Sequence, residues 1–366
     1  MTQNIDRRTF LGRSGLTVAG VGLAGTAGSA FLAACSKKKS TTSSTTSSTV
    51  GGGGSTKDFG QLNYQLSWIK NVEFAGCYIA DTKGYYKAEG FSSVNLMAGG
   101  AGVAQDDIVQ SGKALLGISS PDITAAAINK GANLIIVGAQ YQKNPFAIMS
   151  LASKPIKTPK DMYGKKIGVQ STNESVWQGF VKAAGLDASQ ITKVPVQFDP
   201  LPLTTGVVDG WFSFITNEPN VLKEKGFNTT TFLLNDYGYP YVSETIMVTT
   251  DTLKNDRDKL KAALMGDIKG WNESVHQPAE GAALAATKYG AKLGLTTAEQ
   301  TLESQAQNKL ILTADSQANG LFTITPKLVG KTIKSLAAGG VTITAEKLFD
   351  LSLIEEIYKE HPELKI

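Results

Sequence analysis

The stretch Leu62-Asn63-Tyr64-Gln65-Leu66-Ser67-Trp68-Ile69-Lys70-Asn71-Val72-Glu73-Phe74-Ala75-Gly76-Cys77-Tyr78-Ile79-Ala80 changes its period halfway along. Residues 62–68 read as a strand, whereas residues 72–80 carry helical spacing and are opened by Asn71, a good N-cap. A strand that passes through a short capped turn into a helix is the repeating unit of parallel α/β sheets. Working outward, Gly84-Tyr85-Tyr86-Lys87-Ala88-Glu89-Gly90 closes this helical region, and residues 93–97 form the next strand. Further strands are expected at 114–118, 134–139, 146–151, 166–170, 192–196, 230–234 and 244–249, with helix-compatible sequence between most of them. The architecture expected is therefore α/β with parallel-rich sheets. From Thr252 onward the chain reads as mainly helical, with amphipathic patterning over 253–275 and 345–358.

The chain has 366 residues, 42% of them hydrophobic and 19% charged, which excludes a fibrous or wholly disordered protein and leaves room for two or three globular units. Formal net charge is +4, and the first 34 residues, with Arg7, Arg8 and Arg13 against Asp6, leave +2 for the rest. No strong basic field remains for nucleic acid. Cys35 and Cys77 alone exclude a disulfide framework and argue against a thiolate metal cluster. His276 and His361 are the only histidines, too little for a His-centred hydrolase or a histidine-rich metal site. Gly99-Gly100-Ala101-Gly102 lacks the Gly-Lys-Ser/Thr that a nucleotide phosphate loop needs, and serves as a turn into a helix over 103–111. No enzyme activity, cofactor or metal is expected, and Cys77 reads as a core residue.

The N-terminal segment has a separate purpose. Asp6-Arg7-Arg8-Thr9-Phe10-Leu11 is followed by an uncharged, Gly/Ala-rich stretch ending in Leu32-Ala33-Ala34-Cys35. This order reads as an export segment (1–34) with paired arginines resembling a twin-arginine signal and a lipobox whose Cys35 receives lipid. Residues 35–59, rich in Ser, Thr and Gly, are a flexible tether, since they cannot bury enough apolar surface to fold. The folded body is expected at the outer face of the cytoplasmic membrane, anchored through Cys35.

Four phrases, in order, resemble one group of proteins: Trp68-Ile69-Lys70-Asn71-Val72-Glu73-Phe74-Ala75-Gly76, with Ala80, Gly84-Tyr85-Tyr86 and Glu89-Gly90 after it; Gly112-Lys113-Ala114-Leu115-Leu116-Gly117 with Asp122; Asp161-Met162-Tyr163-Gly164-Lys165-Lys166-Ile167-Gly168-Val169; and Val208-Asp209-Gly210 with Asn217-Glu218-Pro219. They resemble the periplasmic binding proteins of thiamine-pyrimidine, riboflavin, sulfonate and nitrate importers, which share a fold with the thiamine-pyrimidine synthases. The resemblance implies a two-lobed, type II-like periplasmic binding protein fold with two crossovers, a cleft between the lobes, and an ABC permease as partner of a monomer. On that pattern lobe one is 60–148 plus 246–366 and lobe two is 149–245. The segment Lys154-Pro155-Ile156-Lys157-Thr158-Pro159 sits where a crossover is expected. The synthases rely on a cysteine-rich iron motif and a histidine, and this chain has neither.

Such a cleft lies where strand ends and helix N-termini of two open sheets face each other. After the export segment the chain holds one arginine, Arg257, within the charged run Lys254-Asn255-Asp256-Arg257-Asp258-Lys259, so no guanidinium fork is on offer for an oxyanion. Aromatic residues gather instead at expected strand ends: Trp68, Tyr141, Phe198, Trp211, Phe212, Tyr237, Tyr239 and Tyr241. Ring faces stack on flat heterocycles, and their polar tips add hydrogen bonds. Glu73, in the first helical turn, is stabilised there by the helix dipole and is also placed to pair with the donor face of an aminopyrimidine. Family members often carry a histidine near this point, so Glu73 is a departure. Ser119 and Ser120 before Pro121-Asp122, and Gln170, Ser171 and Asn173 in a capping-box pattern with Glu174, lie between strand and helix. Asn217 and Glu218 open a further helix. The ligand-binding set is thus Trp68, Asn71, Glu73, Ser119, Ser120, Tyr141, Gln170, Ser171, Asn173, Trp211, Asn217, Glu218 and Tyr239. The expected ligand is a small planar heterocycle, a thiamine-pyrimidine precursor first and riboflavin second.

Overall fold

The computed structural model describes residues 57–366 apart from positions 101 and 198 and the side chain at 172. The export segment, Cys35, most of the tether and Phe198 lie outside the described residues. The ordered chain starts slightly before the expected residue 60, because Phe59 packs its ring on Phe91 and donates its backbone N–H to Gly90.

Ten strands carry the described fold: β1 (Gly60–Gln65), β2 (Phe91–Met97), β3 (Leu116–Ser119), β4 (Leu134–Tyr141), β5 (Phe146–Leu151), β6 (Lys166–Gln170), β7 (Thr192–Val196), β8 (Gly210–Phe214), β9 (Thr229–Leu233) and β10 (Ser243–Thr249). They form two five-stranded sheets, β2-β1-β3-β10-β4 and β7-β6-β8-β5-β9. In the first sheet β1 runs parallel to β2 and β3, and in the second β6 runs parallel to β7 and β8. Each sheet also takes one strand of opposite sense into its middle: β10 between β3 and β4, and β5 between β8 and β9. The expected α/β, two-lobed fold is present.

The chain passes from the first sheet to the second between Tyr141 and Phe146 and returns between Leu233 and Ser243. The lobe limits drawn at 148 and 245 therefore cut through β5 and β10, because an apolar run identifies a strand without saying which sheet it joins. The Pro155 segment is not a crossover. It lies inside the second lobe, where Ile156 is buried in the same core as Phe146, Ile148, Trp177, Phe180 and Phe212.

Helices differ from expectation where a side chain is needed elsewhere. The helix expected at 253–275 breaks at Asp256 into Thr250–Asn255 and Arg257–His276. The one expected at 345–358 splits into Ala345–Leu348 and Ser352–Glu360, since Phe349 forms a bridge to Ile136 on β4. In the first core Leu62 and Tyr64 point inward from β1 while Gln61 faces solvent. Against them the helices Ala75–Thr82 and Arg257–His276 pack so closely that a Cβ on Gly270 would lie 2.1 Å from the carbonyl oxygen of Gly76. Cys77 is a buried member of this core, as expected.

Candidate functional site

Four loops at the ends of parallel strands run into helix starts: 66–74 after β1, 120–122 after β3, 171–173 after β6, and 215–218 after β8. The first two belong to one sheet and the last two to the other, and they meet. The Asp122 carboxylate accepts a hydrogen bond from Ser175, and Thr296 Oγ1 lies 3.4 Å from Glu224 Oε1 across the same gap. Gly99 lets the loop after β2 close on the loop after β1, for a Cβ there would sit 2.4 Å from the Ser67 carbonyl oxygen.

Three carboxyl groups converge on the first-lobe side of this gap. Asn71 is the N-cap of the 3-10 turn Val72–Phe74: its Oδ1 accepts from Glu73 N at 3.3 Å while its Nδ2 donates to Glu303 Oε1 at 2.9 Å. Gln300 Nε2 holds the other Glu303 oxygen at 2.9 Å. Ser67 Oγ donates to Glu244 Oε2 at 2.6 Å, and the Glu73 and Glu244 carboxyls share a hydrogen bond. Glu244 holds a left-handed backbone at φ 46°, a conformation costing roughly 1–3 kcal/mol that a strand residue adopts only when its surroundings impose it. All three glutamates are buried, at 7%, 5% and 4% exposure for Glu73, Glu244 and Glu303, and none takes part in an ion pair of the described residues.

Burial without a compensating cation drives these acids toward their neutral forms. Desolvation, followed by the charges of Glu244 and Glu303, pushes Glu73 well above the usual carboxylate range. Desolvation raises Glu244 to about 7, against the hydrogen bonds from Ser67 and Glu73, and raises Glu303 to about 8. On the facing lobe Glu218 accepts from Phe214 N at 2.8 Å and is raised by desolvation to about 7.

The remaining expected site residues divide into groups. Trp68 is half-buried at the gap beside Glu73, against the first core. Ser120, Asn173 and Asn217 are half-buried at the helix starts and Ser171 is exposed. The capping box is absent: Asn173 occupies the N-cap of Glu174–Ala183 without a side-chain bond, and Glu174 instead engages Lys193 and Gln178. Ser119 is buried and committed to Asp106 at 2.6 Å, and Gln170 is buried, donating to the Phe212 carbonyl and accepting from Asn173.

Three expected cleft aromatics are packed as core. Trp211 is fully buried among Met149, Leu203, Val208 and Leu222, because it stands near the N-terminal end of β8, away from the loop that faces the gap. Tyr141 is buried and donates to Gln307 Oε1 at 2.8 Å. Tyr239 is buried with its ring edge-on to Tyr241. Sequence reading missed Glu244 and Glu303. The sequence trace of Glu244 is a lone acid inside the apolar run Ile246-Met247-Val248 with its approach Tyr241-Val242-Ser243. Arg257 lies on a surface helix and pairs with Glu356 at 2.8 Å, so no arginine of the described residues serves the gap. Among the described residues no group of three or more His, Cys, Asp or Glu is placed to hold a metal ion.

Comparison with known proteins agrees with this geometry. A formylaminopyrimidine-binding protein of Halalkalibacterium halodurans is 26% identical over 221 residues, covering 59% of this chain and 66% of that protein. The riboflavin-binding protein RibY of Chloroflexus aurantiacus is 23% identical over 241 residues, covering 60% of this chain and 64% of RibY. Both matches thus span just under two thirds of the relatives' own lengths. Among solved structures, the periplasmic aliphatic sulphonate binding protein SsuA of Escherichia coli superposes with a TM-score of 0.61 at 15% identity over 80% of this chain and 91% of SsuA, a likeness of fold. Residues 71–281, more than half the chain, match the model described as NMT1/THI5 like, and the chain belongs to that family.

Proposed function

We propose that this protein is an extracytoplasmic solute-binding protein of an ABC importer, that it captures a small planar nitrogen heterocycle between its two lobes, and that it performs no chemistry on it. The observation that carries this reading is the buried trio Glu73, Glu244 and Glu303 at the interlobe gap, with no ion-pair partner among the described residues. Carboxyl groups repel a sulfonate or nitrate and accept hydrogen bonds from ring and exocyclic N–H groups, so the fold shared with SsuA serves here a ligand of opposite polarity. A half-buried Trp68 beside Glu73 offers a face for stacking. The formylaminopyrimidine-binding relative supports a thiamine-pyrimidine precursor as first ligand, and RibY supports riboflavin as the alternative. Permease docking, lipid attachment through Cys35 and a monomeric state complete the proposal.

The test is a thermal-shift screen with aminopyrimidines, riboflavin, alkanesulfonates and nitrate, joined to mass spectrometry of any molecule that copurifies. Tight binding to the folded state raises the melting temperature by mass action. Stabilisation by a heterocycle and none by the anions is the expected result. Replacing Trp68 or Glu73 by Ala should weaken that binding about tenfold or more, roughly 1.4 kcal/mol. Stabilisation by sulfonate or nitrate alone removes the reading.

A further inference from the structure

We propose that one proton held between Glu73 and Glu244 is a working part of the binding site, giving it a donor beside an acceptor that selects ligands with an acceptor atom next to an N–H. This inference rests on the proposed cleft and specifies which edge of the ligand enters it. The two carboxyls come from separate elements, Glu73 from the capped turn after β1 and Glu244 from β10, and are brought to hydrogen-bonding distance of one another. Two carboxylates at that separation cannot both be ionised in a buried site, so one retains its proton, as in any close carboxyl dyad.

The second partner of each group decides where the proton sits. Glu244 accepts from Ser67 at 2.6 Å, which favours its charged form, whereas Glu73 faces two other acids. Glu73 is therefore the carboxylic acid and Glu244 the carboxylate. A ligand displaces their mutual bond: the Glu73 O–H donates to a ring nitrogen or carbonyl oxygen, and Glu244 accepts from the neighbouring N–H. No covalent bond changes and no proton leaves the site. An aminopyrimidine has such an edge in its ring nitrogen and amine, and a flavin has one in its carbonyl and imide N–H, so the same pair serves either chemistry. A sulfonate, which has acceptors alone, meets the Glu244 charge.

Other titratable groups face the pair. Glu303 lies on the helix Thr297–Ile311, Tyr141 on β4, Tyr78 on the helix Ala75–Thr82, and Tyr241 leads into β10. The tyrosines are all pushed further up by burial and stay neutral. Glu303 titrates in the same range as the pair, at about 8, and needs its own control.

The experiment is calorimetric titration of the full folded chain with 4-amino-2-methylpyrimidine and, separately, riboflavin, from pH 7 to 9.5. 2-Methylpyrimidine, which lacks the amine, is the comparison. Affinity for at least one of the first two should fall with rising pH, approaching about tenfold per pH unit once the shared proton is lost. Glu73→Gln supplies a permanent N–H donor and should bind with a flat profile, while Glu244→Gln should weaken binding about tenfold or more at every pH. Glu303→Gln should keep the alkaline fall. A flat wild-type profile with normal binding overturns the shared proton and leaves the receptor reading intact, as does 2-methylpyrimidine binding as well as its amine. A Glu303→Gln profile gone flat assigns the proton to Glu303 and overturns it too. Failure of both heterocycles at every pH, with the chain folded by melting, overturns the receptor reading itself. The wild-type profile stands alone if a variant does not fold.

Discussion

A second buried acid shows by contrast how the glutamates at the gap differ from structural carboxyls. Asp267 is fully buried inside the first core, where it accepts from the Tyr86 hydroxyl and also from Tyr64 and Cys77. Its surroundings are donors, whereas those of Glu73 are other acids, and yet desolvation still lifts Asp267 to about 6. The folded state thus binds this proton more tightly than the unfolded chain. Stability is highest below the unfolded value near 4 and declines as pH rises to about 6, beyond which the penalty is constant. Asp267→Asn should remove that slope between pH 4 and 6 in urea or thermal unfolding. Absolute stability is a poorer readout, since an amide brings N–H groups among the Tyr64 and Cys77 donors. A slope of equal size in Asp267→Asn would show that another group carries it. The sequence offers no hint of Asp267, because an Asp on a long helix reads as a solvated face until tertiary packing covers it.

At the level of elements, packing overrides propensity in the contact between Ala75–Thr82 and Arg257–His276. Gly270 lies mid-helix, where Ala is intrinsically better by about 1 kcal/mol. A Cβ there meets the Gly76 carbonyl oxygen at 2.1 Å and Ala80 Cβ at 2.9 Å, contacts with backbone and a short side chain that cannot rotate away. Gly270→Ala should therefore destabilise by about 1–3 kcal/mol in urea unfolding, the reverse of the propensity ranking. A stabilised variant would mean that the two helices separate freely. The same competition explains which elements were legible. β5, β6 and β7 fall where their sequence places them, because turn residues bracket each run. β8 escaped notice since it is central in its sheet and buried on both faces, leaving no alternation to read. That omission also misplaced Trp211. The helix Thr297–Ile311 buries a polar face of Gln300, Glu303, Ser304 and Gln307, of which Gln300 and Gln307 bind the backbone of Val72. A helix that buries amides and an acid has no apolar stripe, so its part in the site was invisible to periodicity, while Asn71 and Glu73 were readable from cap chemistry.

Across the whole molecule, the two lobes are joined on one side by a brace and on the other by a latch. The brace is the helix Pro326–Ala338. Its Thr332 hydroxyl accepts from Val242 N at 3.3 Å and its Ser335 hydroxyl donates to the Pro240 carbonyl at 2.6 Å, fixing it to the returning crossover. Its end packs against the second-lobe helix Glu174–Ala183, where a Cβ on Gly179 would lie 2.8 Å from the Gly339 Cα. Asn144 ties the two crossovers together by donating to the Tyr239 carbonyl at 2.8 Å. Any opening must therefore pivot about this edge and part the loops at the gap, where Asp122 of the first lobe accepts from Ser175 of the second. Asp122 does not belong to the glutamate trio, so its removal separates closure from ligand contact. Asp122→Ala should enlarge the radius of gyration of the ligand-free protein in small-angle scattering. It should also weaken heterocycle binding by the fall in the closed fraction, about threefold if that fraction drops from most molecules to a third. Ser175→Ala should shift both quantities in the same direction. Saturating ligand should restore the compact form in either variant, since the ligand itself spans the gap and closure follows from its contacts. Unchanged scattering and unchanged affinity in both would show that the closed arrangement is held by the brace alone, and that the Asp122–Ser175 bond forms only as its consequence.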